Sequence, residues 1–145
     1  MLIENKITIN KSLKETWAFY NDEQNVLKWV DGLKSFEALE GEPGKVGSTS
    51  TMTVEAPNGK EMKFLEKVLV LEPEKRFSNH MDGPGMSFTI DARFTGDDNS
   101  TTIVSTTDYQ PKGFFMKMMM PLMKGQMRKQ SQKNFDKLKS LVEAL

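Results

Sequence analysis

The chain has 145 residues, the length of one ordinary domain, and we predict a single domain over residues 1–145. Its 20 Lys and Arg balance 20 Asp and Glu, so the formal net charge is zero, which argues against a nucleic-acid-binding protein. With 37% hydrophobic and 28% charged residues the composition is globular. No apolar run is long enough to span a membrane.

Reactive side chains are scarce. There is no cysteine and only one histidine, His80, which excludes disulfides, thiolate nucleophiles and Cys-type zinc sites and leaves little for a serine triad. We therefore predict no metal and no cofactor. The N-terminus lacks a basic segment followed by an apolar one, so we expect a cytoplasmic protein without a secretory signal.

The N-terminal region predicts one strand and two short helices. Residues 2–10 alternate between polar and apolar side chains, as a strand does. Ser12 and Glu15 have the spacing of a capping box, which predicts that a helix begins there. Asp22 is a suitable cap for a second short helix, which Gly32 would end.

Residues 33–110 predict an antiparallel meander of about six strands. Val, Ile, Thr and Phe dominate this stretch, and turn signals recur about every dozen residues. Asn58-Gly59 is the strongest turn signal because both residues accept the positive φ of a type I′ hairpin. The predicted turns lie at Gly41–Gly47, Pro57–Gly59, Glu72–Glu74, Asp82–Gly85 and Gly96–Asn99.

The C-terminal segment of the chain predicts one long helix from Gly113 to Leu145. Its C-terminal half is amphipathic, whereas Pro121 and Gly125 weaken the first half. We expect this first half to move when a ligand enters.

The predicted hairpin loops determine which side chains share a face of the sheet. A loop at residues 82–85 would set Met81 opposite Met86, Phe77 opposite Ile90 and Arg76 opposite Asp91. Extending the register through the neighbouring turns predicts an inner face with many polar members: Thr49, Thr51, Thr53, Met62, Phe64, Glu66, Val68, Val70, Phe77, Asn79, Phe88, Ile90, Ile103, Ser105, Thr107 and Tyr109.

This mixed face favours a cavity. A solid core rarely takes so many polar groups, because each unpaired one costs about 1–3 kcal/mol, whereas a ligand pocket is apolar with a few polar anchors. The alternative is an ordinary face whose Thr and Ser bond to their neighbours.

The order of elements, together with several local motifs, resembles the SRPBCC superfamily, also called START-like or Bet v 1-like, in its polyketide cyclase/dehydratase-like branch. The motifs are Ile-Asn-Lys-Ser…Glu-Thr-Trp17, Trp29, Gly44-Lys-Val-Gly47, Val-Leu-Glu72-Pro73-Glu-Lys-Arg76 and Ser100-Thr-Thr…Asp108-Tyr109-Gln-Pro-Lys-Gly113. The resemblance implies an α+β helix-grip fold: a curved antiparallel sheet of about seven strands around a long C-terminal helix, with two short helices after strand 1. It also implies a cavity for apolar molecules, with no universal catalytic motif.

Two acids are candidate catalytic residues. Glu66, if it faces inward, would have its pKa raised by burial and could transfer a proton or anchor a ligand hydroxyl. Asp108 is the second candidate. The residues predicted to contact a ligand are Phe64, Glu66, Phe77, Asn79, Phe88, Ile90, Ser105, Thr107, Tyr109, Met119, Met120, Met123 and Met127.

Six of the eleven Met residues lie between Met116 and Met127. Methionine adapts to varied apolar partners, so the cluster could line the cavity or pack as plain core. A third interpretation is weak contact of residues 113–127 with a membrane surface through Phe114, Phe115 and nearby lysines.

We predict a protein that binds a hydrophobic or amphipathic small molecule, such as a lipid or polyketide, between the sheet and the C-terminal helix. A cyclase- or dehydratase-type enzyme acting on such a ligand is the first alternative. A protein-interaction module of the co-chaperone kind, using the outer sheet, is the second.

Overall fold

The structure is a computed structural model that describes residues 1–56 and 58–145. It contains seven strands and three helices in these residues. In chain order they are β1 (Leu2–Ile9), α1 (Leu13–Tyr20), α2 (Glu23–Trp29), β2 (Leu33–Glu40), β3 (Thr49–Glu55), β4 (Glu61–Glu72), β5 (Arg76–Asp82), β6 (Met86–Gly96), β7 (Thr101–Pro111) and α3 (Gly113–Glu143).

The seven strands form one curved antiparallel sheet in the order β1-β7-β6-β5-β4-β3-β2. Strands β2 to β7 are a simple meander, and β1 joins it at the edge beside β7. The helices α1 and α2 follow β1 directly, and the long α3 packs on the sheet. This confirms the predicted helix-grip architecture.

The short helices begin where the sequence predicts. The Ser12 hydroxyl accepts a hydrogen bond from the Glu15 backbone N–H at 3.1 Å, and the Asp22 carboxylate accepts one from the Gln24 N–H at 3.0 Å. Each contact satisfies a backbone donor that the helix itself leaves free. The Gly32 backbone then turns at φ +84° into β2, where a Cβ atom would come within 2.7 Å of a backbone oxygen.

The β5–β6 register differs from the prediction by two residues. Met81 lies opposite Phe88 rather than Met86, and Phe77 lies opposite Ala92 rather than Ile90. The reason is a tighter turn: Gly83 N–H donates to the Met86 carbonyl, which leaves a two-residue loop instead of four. Because the shift is even, the side chains keep their predicted faces.

On the outer face the same shift means that Arg76 and Asp91 are diagonal neighbours and not directly opposite each other. Arg76 lies opposite Arg93, and Asp91 lies opposite Ser78. Arg76 still reaches Asp91, with Nε 2.8 Å from Oδ1. The predicted ion pair therefore forms without the predicted register.

The β3–β4 hairpin contradicts the prediction that three threonines of β3 face inward. Ala56 N–H donates to the Lys60 carbonyl at 2.8 Å, so the loop holds three residues and not the two of a type I′ turn; Pro57 itself lies outside the described residues. One extra loop residue reverses the faces of a strand. The inner side chains of β3 are consequently Ser50, Met52 and Val54, and the predicted Thr49, Thr51 and Thr53 face outward.

A bulge in β4 contradicts the prediction that Val70 lies on the inner face. The register shifts between Val68 and Val70, after which Leu71 lies opposite Phe77. Leu71, not Val70, packs against the main core cluster. An unpaired residue in one strand moves every later side chain to the other face.

Strands β6 and β7 pair with Phe88 opposite Tyr109 and Phe94 opposite Ile103. This register is two residues away from that of the predicted Gly96–Asn99 loop, so the predicted faces are kept. Helix α3 runs without interruption from Gly113 to Glu143, so neither Pro121 nor Gly125 ends it. Pro121 is exposed, which leaves water free to hydrate the carbonyl that a proline cannot bond. Phe135, Leu138 and Val142 are buried as the amphipathic pattern predicts.

Candidate functional site: an internal cavity

A cavity of about 400 Å³ lies between the sheet, the two short helices and the middle of α3. This volume is within the range of small-molecule sites. Met52, Phe64 and Met81 form much of its floor. Eight of the residues predicted to contact a ligand lie in its wall: Phe64, Glu66, Phe77, Asn79, Phe88, Ile90, Tyr109 and Met127.

Five of the predicted contact residues lie outside this wall. Ser105 and Thr107 do face inward, but they sit opposite Asn5 and Ile3 of β1, where α3 covers the sheet through a hydrogen bond from the Asn5 amide to Gln132 at 3.2 Å. The other three lie on the first turns of α3: Met119, Met120 and Met123.

The three methionines differ from Met127 in their position along the helix axis. Among the described residues, α3 lines the cavity only from Met127 to Asn134. Met120 is nevertheless 2% exposed and therefore packs as core. Helical spacing predicts which face a residue occupies but not where along its axis the helix meets a void.

The residues that the sequence analysis missed come mainly from α1, α2 and β2. They include Tyr20, Val26, Trp29, Leu33 and Phe36. The sequence did contain a signal for these residues, namely aromatic side chains at the ends of two very short helices. Such helices bury their large side chains against another element. Counting residues from the predicted turns could not identify them, because it assigns only the faces of strands.

Aromatic rings build two walls of the cavity. On one side the Tyr20 ring lies 5.5 Å from Trp29 and 6.0 Å from Phe77, measured between centroids. On the other side Phe88 lies 5.6 Å from Phe64 and 5.2 Å from Tyr109. These rings provide a broad, rigid apolar surface.

One pair of polar side chains interrupts this surface. Glu66 is 5% exposed, and its Oε2 accepts a hydrogen bond from the Asn79 amide at 2.5 Å. Burial raises the pKa of the Glu66 carboxyl above its ordinary value, the Asn79 hydrogen bond opposes this, and the charge of Glu23 adds to it. The Glu66 carboxyl therefore holds a proton more readily than an exposed glutamate.

Two buried tyrosines add hydroxyl groups. Burial raises the pKa of Tyr20 strongly, and the nearby Glu66 raises it further. Burial also raises the pKa of Tyr109, and the neighbouring Ser131 hydroxyl of α3 opposes this. Both tyrosines are neutral at physiological pH and can donate or accept a hydrogen bond.

Two buried polar atoms of the lining residues have no hydrogen-bond partner within residues 1–56 and 58–145: Oδ1 of Asn79 and Nε1 of Trp29. Leaving such an atom unpaired costs about 1–3 kcal/mol. One is an acceptor and the other a donor, so the residues around the cavity carry unused hydrogen-bonding capacity of both kinds.

Asp108, the second catalytic candidate, points away from the cavity. Its neighbours Thr107 and Tyr109 face inward, so alternation along β7 turns Asp108 outward. Its side chain is 48% exposed and accepts a hydrogen bond from Gln110 at 3.1 Å. His80 also lies on the outer face, 2.9 Å from the Thr89 hydroxyl.

Two further classes of site do not occur in the described part of the chain. No three His, Asp or Glu side chains there come together as a metal site would require. No helix there is both long and apolar enough to cross a bilayer.

Comparison with known proteins places this geometry in context. A family model described as "Polyketide cyclase / dehydrase and lipid transport" matches residues 2–143. No curated protein matches the chain in sequence.

Solved structures share the fold over nearly the whole chain. A protein of Thermus thermophilus is 17% identical, with a TM-score of 0.77 and coverage of 99% of this chain and 98% of its own. The Zhui aromatase/cyclase of a Streptomyces species is 14% identical, with a TM-score of 0.81 and coverage of 99% and 93%. Ara h 8.0201 is 15% identical, with a TM-score of 0.75 and coverage of 100% and 99%.

Proposed function

We propose, from the premise that the chain belongs to the polyketide cyclase / dehydrase and lipid transport family, that this protein binds a hydrophobic or amphipathic small molecule in its internal cavity. The observation that carries the proposal is the cavity of about 400 Å³ with its aromatic walls. Leaving these apolar walls in contact with water is unfavourable. A ligand that fills the cavity would provide apolar contacts instead.

The polar side chains suggest which end of the ligand binds where. An apolar body fits against Phe64, Phe88 and Tyr109, whereas a polar group fits beside Glu66 and Asn79. That group is best uncharged, such as a hydroxyl or carbonyl, because a carboxylate would lie near Glu66 and Glu23. A neutral group could also use the free Asn79 acceptor. We therefore favour a neutral amphipathic ligand over a fatty acid anion.

A cavity-filling variant tests the proposal. Val68 lines the cavity and is 4% exposed, so Val68→Phe should lower the affinity for the neutral fluorophore N-phenyl-1-naphthylamine at least tenfold. Val104→Phe is the matched control, because Val104 lies on the outer face of β7 between inward-facing neighbours. Equal binding by both variants and the wild type would contradict the cavity as the site.

The polarity of the ligand has its own test. Decanol and decanoate differ at one end only, and each can be made to compete with the fluorophore. We expect decanol to displace it at lower concentration at pH 7. The preference should weaken near pH 4.5, where decanoic acid is itself mostly neutral. A preference for decanoate at pH 7 would exclude a neutral polar group as the favoured one.

An enzymatic function is the second candidate, and Glu66 is the observation that favours it. A buried carboxyl with a raised pKa inside a ligand cavity is suited to general acid–base chemistry. Native mass spectrometry of the purified protein would identify a co-purifying molecule, and its conversion could then be followed. Glu66→Gln should abolish conversion and preserve binding if Glu66 transfers a proton. A binding protein would leave the molecule unchanged whether residue 66 is Glu or Gln.

The cytoplasmic location stays a prediction.

A further inference from the structure

The first half of α3 exposes an unusual set of large apolar side chains. Phe114 is 79% exposed, Phe115 71%, Met118 60% and Leu122 80%. Their positions fall on one helical face, opposite the buried Met120. Monomeric proteins rarely leave several large apolar side chains together in water, and such patches mark interaction sites.

The charges around this face are all of one sign. No Asp or Glu occurs between Asp108 and Asp136, although the whole chain carries as many acids as bases. Six cations lie in this interval: Lys112, Lys117, Lys124, Arg128, Lys129 and Lys133. Lys112 is paired with Asp82, and in the described part of the chain the other five form no ion pair.

The cations continue the exposed face of the helix. Three helical turns are close to eleven residues, so Lys129 follows Met118 on the same face and Lys133 follows Leu122. The exposed side of α3 is therefore apolar over its first turns and basic over the next ones. This side is separate from Met127 and Ser131, which face the cavity.

We propose that this face, which we call the docking face (Phe114, Phe115, Met118, Leu122, Lys129 and Lys133), binds the surface of a membrane containing anionic phospholipid. The apolar side chains would enter the boundary between headgroups and acyl chains, while the lysines stay among the phosphates. This proposal does not depend on the cavity having a ligand.

Charge favours a lipid surface over a second copy of the chain. A symmetric dimer through the docking face would bring two sets of like charges together, which repel. An anionic bilayer instead neutralises them. A bilayer also accepts the convex side of a single exposed helix.

Vesicle co-sedimentation tests the proposal. The probes are vesicles of phosphatidylcholine alone and of phosphatidylcholine with 30% phosphatidylglycerol. We expect at least tenfold tighter binding to the anionic vesicles in low salt, and a marked loss in 0.5 M salt, where surface charges are screened.

Paired variants locate the surface. Phe114→Ser combined with Phe115→Ser should weaken binding at least tenfold. The control combines Leu39→Ser and Val46→Ser, which are 56% and 60% exposed and lie away from α3; it should bind like the wild type. Val68→Phe should also bind vesicles normally, which separates this proposal from the cavity function.

Three results would overturn the proposal. They are equal binding to neutral and anionic vesicles, undiminished binding by the double serine variant, and a dimer in sedimentation equilibrium that the double serine variant abolishes. The last result would assign the docking face to a second copy. Circular dichroism of each variant verifies folding, which exposed substitutions should leave intact.

Discussion

The inner side of the sheet has two regions that pack differently. We call them the packed end, centred on Ile9, Phe94, Ile103, Leu138 and Val142, and the cavity end, centred on Leu33, Met52, Phe64 and Met81. At the packed end Ile9, Ile103, Leu138 and Val142 are completely buried, and a Trp17–Phe94 aromatic pair meets at 4.9 Å. The cavity end instead borders a void of about 400 Å³ and holds a buried carboxyl.

The difference shows how one small sheet can combine stability with a binding site. Dense packing provides most of the favourable contact energy, whereas a void and a buried acid both oppose folding. We infer that the packed end stabilises the fold and that the cavity end is retained for a ligand. Each prediction below tests this division.

The largest effect should come from truncating the packed end. Leu138→Ala removes a completely buried side chain and should lower the free energy of unfolding by about 2–5 kcal/mol, measured by urea denaturation. Met52→Ala at the cavity end is the matched comparison. It should cost clearly less, because Met52 already borders empty space. Equal losses would contradict the division between the two ends.

Hydrogen exchange should separate the two halves of α3. Residues 113–127 carry the exposed Phe114 and Leu122, and residues 130–143 carry the buried Phe135 and Leu138. We expect amides of the first half to exchange at least tenfold faster, a difference of about 1.4 kcal/mol in opening free energy. A ligand should slow the first half most. Equal protection that a ligand leaves unchanged would place the entry route elsewhere.

The buried acid at the cavity end should produce a pH-dependent effect. The folded-state pKa of Glu66 lies above its ordinary value of 4.5, so the folded protein binds the proton more tightly than the unfolded chain. The free energy of unfolding must then fall as pH rises from 4.5 through the raised pKa, and the cost persists above it. Glu66→Gln should raise the melting temperature at about pH 7 and have little effect near pH 4. A variant less stable than wild type at neutral pH would show that the carboxylate is stabilised where it lies.

The smallest effect should come from the outer face above the packed end. Asp91 accepts from Arg76 at 2.8 Å and from Arg93 at 3.3 Å. These pairs are partly exposed, so Asp91→Ala should cost only about 0–1 kcal/mol, and less in 0.5 M salt. Urea denaturation at both salt concentrations measures it. A loss as large as that of Leu138→Ala would mean that the ion pairs, and not the inner cluster, stabilise this end.

The positions of helices and strands, and the faces of strand residues, were predictable wherever interactions between residues close in sequence determine them. The caps at Ser12 and Asp22 satisfy backbone donors a few residues away, and the alternation of β6 and β7 survives any even shift in register. The inward direction of Glu66 was predicted correctly because two departures from simple alternation cancel: the β4–β5 turn is one residue shorter than predicted, and the bulge between Val68 and Val70 restores the face. The chain order of strands and helices was therefore sufficient for the fold and for about half of the cavity wall.

Registers were less predictable, because one residue in a loop changes the outcome. The pairing of Ala56 with Lys60 turned Thr51 and Thr53 outward and Met52 inward. The bulge after Val68 replaced Val70 with Leu71 in the core. Turn propensities do not distinguish such alternatives, which differ by little locally and are selected by packing of the whole sheet.

By itself, the sequence determined the alternating strands, the capped helices, the amphipathic C-terminal half of α3 and the lack of Cys and His chemistry. Only the tertiary structure decided which segments close the cavity. Tyr20 and Trp29 of the short helices do so, together with α3 from Met127 onward, while Met120 packs as core and Phe114 lies in water. The physical reason is that a cavity is a gap between elements. Its position depends on where the helices dock on a curved sheet, a long-range balance of packing that no local pattern encodes.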